Sequence, residues 1–318
     1  MESLFGYQFN LSNKLYNPLI FIVGPTAIGK SSLALKIAKK NGGEIINADS
    51  MQVYKDLNIL TARPTKEDHK LITHHLYGYV ESSFRYNVSK WCNDILEVIK
   101  KNNKKKISSI IVGGTGMYID KLINGLVETP AISNEIKKKS ENLILDVGVK
   151  NFYNLIQDFD KESLIKVSQN DTSRLRRIWE VYMETNKPLS LWVKEKNKMF
   201  LSNQKYYLNL FIPDRQEIYK KVNDRFKVMI KSGAIEEVKK LKEKELDESL
   251  PITRAHGVPE ILKYLSGSIN LEECIDMGQQ VTRNYVKRQL TWWRSSKLEI
   301  SNTFHEFPAN IDLNSIKY

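Results

Sequence analysis

The chain has 318 residues, 41% of them hydrophobic and 27% charged, with a formal net charge of +12. This length suits one large α/β domain with an insertion, or two modest domains, and the composition is that of a globular chain. No apolar run approaches the ~20 residues that cross a bilayer, and the isolated Cys92 and Cys274 exclude a zinc-ligand spacing or a disulfide framework.

The first 17 residues are polar and mixed, without the basic start and apolar stretch of a signal peptide, so a cytoplasmic location is expected. The excess of 49 Lys+Arg over 37 Asp+Glu favours polyanionic partners, because each neutralised phosphate releases a counterion. A chain rich in Lys, Asn and Ile reaches the same surplus by composition alone, so the placement of the arginines carries more information than the total.

Residues 19–23 (Leu-Ile-Phe-Ile-Val) form a wholly apolar run before Gly24-Pro25, the pattern of a buried parallel strand. A helix is predicted over 31–40, with Leu33, Ile37 and Ala38 on one side. Further strands are expected over 44–49, 107–112 and 206–212, the last followed by a long amphipathic helix through Lys231. Between about 130 and 203 strand signals fade, and helices with Lys and Arg on their exposed faces take over. Beyond Gly233 the chain again reads helical, with turns near Pro251, Gly257 and Gly267. The expected fold class is therefore α/β, a mainly parallel sheet flanked by helices with an inserted helical domain. The expected organisation is 18–129 for the first part of the core, 130–203 for the insertion, and 204–318 for core completion and C-terminal helices.

Gly24-Pro25-Thr26-Ala27-Ile28-Gly29-Lys30-Ser31 matches the Walker A spacing between a strand and a helix. The glycines let successive N–H groups curl around phosphate oxygens, Lys30 adds a positive charge, Ser31 offers a hydroxyl to Mg²⁺, and the helix start adds its partial positive charge. An NTPase usually carries an Asp at the end of a neighbouring strand. Here the strand over 107–112 runs into Gly113-Gly114-Thr115 with no acid. Thr65-Lys66-Glu67-Asp68 has the letters of a guanine-recognition element, but it follows Arg63-Pro64 rather than a strand and is read as coincidence. His74-His75 is read as ordinary polar or core histidine, because adjacent residues do not share a face.

Three segments in register, the phosphate loop, Asn47-Ala48-Asp49-Ser50-Met51-Gln52-Val53-Tyr54 and Gly113-Gly114-Thr115-Gly116-Met117-Tyr118, closely resemble the tRNA dimethylallyltransferase family. Asp224-Arg225-Phe226, Arg254 with Gly257, and the run from Arg283 through Gln289 to Trp292 extend the resemblance over roughly residues 21–294. Departures from the family pattern stand at Leu60-Thr61-Ala62-Arg63-Pro64 (usually Gly-Thr-Ala-Lys-Pro), at Thr172 and Ser173, and at Val258 and Pro259. The zinc-finger extension of eukaryotic members is not matched, which points to the bacterial type.

The resemblance implies transfer of a dimethylallyl group from dimethylallyl diphosphate to the exocyclic amine of the adenosine beside the anticodon, with Mg²⁺ as cofactor. It identifies Asp49 as the general base, a role that suits a carboxylate at the strand edge of an open α/β sheet. An Asp before Ser is equally the residue type that caps a turn. Thr115 is a second catalytic candidate, orienting the amine or a diphosphate oxygen, with a plain strand-end hydroxyl as the alternative. Arg225 is expected at the diphosphate with Thr26, Lys30 and the loop amides. Ser50, Met51, Gln52 (a candidate reader of an adenine edge) and Arg254 are expected at the tRNA. At 100° per residue, Arg283, Lys287 and Arg294 fall within roughly 40° of one another, a basic stripe for the anticodon stem-loop, with Val281, Tyr285, Trp292 and Trp293 assigned to the core behind it. Arg174 and Arg177 form a second basic pair in the insertion. An adenylate isopentenyltransferase, a nucleotide kinase and an RNA-binding NTPase are the alternative functions. A monomer is the expected state, and no membrane association is expected.

Overall fold

The computed structural model describes residues 17–127, 129–195, 198–201 and 204–317. The N-terminal stretch examined for a leader therefore lies almost wholly outside the described residues, as do positions 202–203 at the expected insertion boundary. Two compact units are present: one takes the chain up to Lys121 and again from Leu201, and the other is Leu122–Phe200.

The first unit is built on β1 (Leu19–Val23), whose five residues are all buried. The phosphate loop leads into α1 (Lys30–Asn41), which buries Leu33, Ala34, Ile37 and Ala38 and ends at Gly42 in the left-handed conformation. β2 (Gly43–Asn47) follows, then α2 (Lys66–Leu71) and a two-residue strand β3 (His74–His75). α3 (Val88–Lys105), capped by the Asn87 side chain, leads into β4 (Ser108–Gly113) and α4 (Gly116–Asn124). After the second unit come β5 (Tyr206–Phe211) and β6 (Asn302–Phe304), separated by four helices given below.

The sheet order is β3-β2-β4-β1-β5-β6 and every pairing is parallel. Strands covered on both faces must be apolar throughout, which is why β1 reads as an unbroken run rather than an alternation. The connection from β1 travels to one side of the sheet and the connection from β4 to the other. The order thus reverses at β1 and β4, where a crevice opens outside the carboxyl ends of the strands. The phosphate loop leaves β1 there, Asp49 follows β2, and Gly113-Gly114-Thr115 closes β4.

β3 and β6 were not anticipated. β6 is drawn in by polar pairing: the buried Asn209 of β5 accepts from Asn302 Nδ2 at 3.0 Å. The histidines of β3 find ordinary partners, His75 Nε2 lying 2.7 Å from Glu44 Oε2 and His74 Nδ1 2.8 Å from the Ile72 carbonyl. Thr65 and Asp68, read as a coincidental guanine motif, form a capping box that starts α2.

The second unit holds α5 (Asn134–Leu164), interrupted at Gly148 and Asp160, with α6 (Thr172–Thr185) and α7 (Leu189–Lys194). Phe152, Ile156, Leu164, Leu175, Ile178 and Trp179 form its core. The first unit is completed by α8 (Arg215–Lys231), α9 (Ala234–Lys242), α10 (Val258–Leu265) and α11 (Leu271–Ser295). Among the described residues no helix is long and apolar enough to cross a membrane, and both cysteines are buried and unpaired.

Candidate active site

The phosphate loop has the backbone its chemistry requires. Gly24 sits at φ 143°, and a Cβ there would come 2.3 Å from the Phe211 carbonyl oxygen, so only glycine fits. Gly29, also at positive φ, turns the chain into α1. Lys30 Nζ donates to the Pro25 carbonyl at 2.5 Å, folded back over its own loop. Burial lowers its pKa to about 7; Asp49 opposes that shift and Arg225 adds to it. Arg225, from α8, donates to Thr26 Oγ1 at 2.9 Å, and burial lowers its pKa to about 10, against the pull of Asp49. Thr26 donates its backbone N–H to Gln289 Oε1 at 2.9 Å, and Gln289 Nε2 donates to the Gly114 carbonyl at 2.9 Å. A single buried side chain on α11 thus ties the phosphate loop to the loop after β4.

Asp49 does cap a turn: its Oδ1 accepts from Met51 N at 2.8 Å and Gln52 N at 3.3 Å. Its own N–H donates to Asn47 Oδ1 at 2.8 Å, and the buried Asn47 also donates to the Asp49 and Leu76 carbonyls. Among the described residues Oδ2 accepts no such bond, so one oxygen holds the turn and the other is unengaged. Thr115 Oγ1 accepts from Ser50 N at 3.3 Å, which sets the β4 loop against the Asp49 turn.

Two adjoining cavities meet at these groups and share Thr26, Asp49, Thr61 and Arg225. The first, about 340 Å³, is lined by the phosphate loop, Gln52, Gly113, Gly114 and Gln289. The second, about 240 Å³, is lined by Leu60, Val222, Phe226, Met229 and Ala255 together with His256, Tyr285 and Arg288. Arg254, Ser50 and Met51 also line it. Tyr285, assigned from the sequence to the core, is a wall of this cavity instead. Its ring lies 4.7 Å from that of His256, with the Arg288 guanidinium 5.5 Å above it. Burial raises the pKa of Tyr285 and lowers that of His256, so both are neutral near pH 7. Gln52, expected at an adenine edge, lines the phosphate-loop cavity, and its Nε2 is spent on the Thr61 and Ala62 carbonyls at 2.7 and 3.1 Å.

The arginines read as RNA contacts are not equally free. Arg283 is part-buried and donates to Asn223 Oδ1 at 2.7 Å and Gln280 Oε1 at 2.6 Å, whereas Lys287, Arg294 and Arg254 are exposed. The three-residue stripe therefore offers two exposed cations rather than three. In the second unit, Arg174 is exposed but paired with Asp171, the N-cap of its own helix. Arg177 is part-buried against Thr129, and burial lowers its pKa.

The comparisons bear on the same residues. The family described as IPP transferase matches residues 52–296, and that described as isopentenyl transferase matches residues 17–85. A tRNA dimethylallyltransferase of Ehrlichia ruminantium is 41% identical over 281 residues, spanning 88% of this chain and 92% of the relative. The chain belongs to the tRNA dimethylallyltransferase family. Among solved structures, a eukaryotic dimethylallyltransferase acting on tRNA superposes with a TM-score of 0.74 at 29% identity, covering 87% of this chain and 69% of that one. A full-length tRNA isopentenylpyrophosphate transferase from Bacillus halodurans gives 0.66 at 27% identity, covering 94% and 92%.

The family resemblance carried by the three short motifs is thus borne out, and with it the parallel P-loop fold. Within this family member, sequence reasoning missed Gln289, Tyr285, His256 and Arg288 as residues of the crevice. All but His256 lie in the motif-bearing stretch of α11, where the sequence marks Arg283, Lys287 and Arg294 as a basic stripe and Tyr285 as core. Helical periodicity could mark Gln289 as inward-facing but not as a link to Thr26, which lies in a loop far away in the chain.

Proposed function

We propose that the chain moves a dimethylallyl group from dimethylallyl diphosphate to the exocyclic amine of the adenosine beside the anticodon of tRNA. The observation that carries this reading is the single carboxylate, Asp49, at the seam of two cavities, one lined by a phosphate cradle and one by apolar and aromatic walls. In the reaction the C1–O bond breaks and its electron pair leaves on pyrophosphate, while the amine lone pair forms the N–C1 bond. The amine proton passes to Asp49.

Adenine's amine is a weak nucleophile because its lone pair is delocalised into the ring. A carboxylate oxygen accepting its hydrogen bond aims the amine and takes the proton as the bond forms. Asp49 is suited to this because Oδ1 is fixed by two amides, which leaves Oδ2 to accept from the substrate. Charge accumulating on the leaving diphosphate meets Lys30, Arg225, the loop amides from Gly24 to Ser31 and the start of α1. Thr115, fixed against Ser50, orients the amine or a diphosphate oxygen.

Mg²⁺ fits this site only as a companion of the substrate. Among the described residues no cluster of three His, Cys, Asp or Glu could hold a metal, and Ser31 offers one exposed hydroxyl at the helix start. Mg²⁺ bound through few protein groups and several phosphate oxygens is the usual arrangement for this hard, strongly hydrated ion, and it neutralises diphosphate charge when present. We assign the anticodon stem-loop to Arg254, Lys287 and Arg294, with Ser50, Met51 and Gln52 near the base and Arg174, Arg177 and Arg283 as further candidates. The proposed working form is a cytoplasmic monomer. The test is stoichiometry: one pyrophosphate released per prenylated nucleoside with no nucleoside triphosphate present. A requirement for ATP hydrolysis in each turnover would replace this reading with a coupled NTPase.

A further inference from the structure

The cavity beside Asp49 is lined by polar groups, Thr26, Asp49 and Arg225, and by the apolar side chains of Leu60, Val222, Phe226, Met229 and Ala255. An allylic chain bonded to a diphosphate begins among the polar groups, because its C1 is bonded to the leaving oxygen. Its remaining carbons are then left to pack against the apolar side chains.

Two of these apolar walls are tightly packed. Leu60 is 8% exposed and Phe226 3%. A Cβ placed on Gly257 would come 2.8 Å from Leu60 Cδ2 and 3.1 Å from the Phe226 ring, so both side chains rest directly on that glycine. The backbone carrying it is also fixed. The Glu237 carboxylate on α9 accepts the N–H groups of Asn58 at 2.5 Å, Ile59 at 2.8 Å and Leu60 at 3.0 Å. On the far side, Gln52 holds the Thr61 carbonyl, and Thr61 Oγ1 donates to the Leu57 carbonyl at 2.6 Å. Leu60 is therefore a stationary stop rather than a flap.

We infer that Leu60 limits the prenyl donor to a single five-carbon unit. The inference rests on the proposed function, because only a prenyl diphosphate donor has a chain to measure. A geranyl chain would need the space that Leu60 occupies, and Leu60→Ala opens that space toward Gly257. One methylene of fit in an apolar pocket is worth about 10–200-fold in discrimination.

The experiment gives the enzyme dimethylallyl and geranyl diphosphates in competition, with an anticodon stem-loop as acceptor, and reads both products by mass spectrometry. Wild-type five-carbon transfer is measured first; its absence would remove the proposed function itself. Given that activity, Leu60→Ala should raise the ten-to-five-carbon product ratio about tenfold or more, while the volume-conserving Leu60→Ile leaves it near the wild-type value. Met229→Ala, which shortens a neighbouring wall, should shift the ratio the same way and serves if Leu60→Ala folds poorly. An unchanged ratio in a folded variant overturns the inference. So does a raised KM for the stem-loop at constant ratio, which would assign Leu60 to the flipped base.

Discussion

Replacing Gln289 tests how the cradle is held in shape. The side chain is 5% exposed and makes two bonds of 2.9 Å, accepting from Thr26 N and donating to the buried Gly114 carbonyl. Leucine has nearly the same volume and neither bond. Each lost bond removes about 0.5–1.5 kcal/mol, and a buried carbonyl left without a donor costs about 1–3 kcal/mol. Gln289→Leu should therefore destabilise the protein by about 2–3 kcal/mol, or lower Tm by about 3–5 °C for a chain of this size. Thr26 is also the residue that Arg225 grips through Oγ1, so a released loop amide should weaken dimethylallyl diphosphate binding as well. Gln289→Glu separates the two effects. It keeps an acceptor for Thr26 but points a carboxylate at the Gly114 carbonyl and at the phosphate site, so its diphosphate affinity should fall below that of the leucine variant. Urea melts and titration calorimetry read both quantities. A leucine variant within ~0.5 kcal/mol of wild type, binding diphosphate normally, would refute the idea that Gln289 clamps the cradle.

Asp49→Asn keeps an oxygen to cap the turn but cannot take a proton, so single-turnover prenylation should drop by ~10²–10⁴-fold with diphosphate binding nearly unchanged; Asp49→Ala should add a loss of stability from the uncapped turn. Lys30, lowered to about 7 by burial, is protonated below that pH and neutral above it. Diphosphate affinity should thus fall by up to ~50-fold between pH 7 and pH 9 as the competent fraction shrinks, and calorimetry on Lys30→Met should show a flat profile. The same depression means the folded state binds fewer protons than the unfolded state between about 7 and 10.5, so the destabilising effect of burying this lysine eases as pH rises. Removing the exposed Lys287 and Arg294 together should flatten the log–log salt dependence of stem-loop binding by about 1.4, at roughly 0.7 per phosphate contact, while Arg283→Ala should chiefly lower Tm through the lost Asn223 contact.

What could be read from the sequence was local. The phosphate loop and the Asp49 turn are contiguous segments whose residue types state their backbone geometry, and β1 announces its burial by five apolar residues in a row. Tyr285 and Gln289 act through partners such as Thr26, 263 positions away from Gln289 in the chain, and nothing local distinguishes a glutamine that bridges two loops from one facing solvent. Tyr285 carried an aromatic signature common to cores and cavity walls alike. β3 and β6, two and three residues long, are too short to show a period. Arg283, Lys287 and Arg294 do lie on one helix, but Arg283 is engaged by Gln280 one turn back and by Asn223 of α8, and the second of these partners is beyond the reach of a helical projection. Leu60 was visible only as a departure; its place in the wall of a cavity required the fold.

The most direct measurement of the central claim offers the protein labelled dimethylallyl diphosphate with an anticodon stem-loop and AMP together, and digests the products to nucleosides. The account predicts label on a single adenosine beside the anticodon, pyrophosphate in equal amount, AMP untouched, and loss of that transfer in Asp49→Asn. Label on AMP with none on the stem-loop would contradict the assignment of tRNA as the acceptor, and undiminished transfer by Asp49→Asn would contradict the assignment of the base.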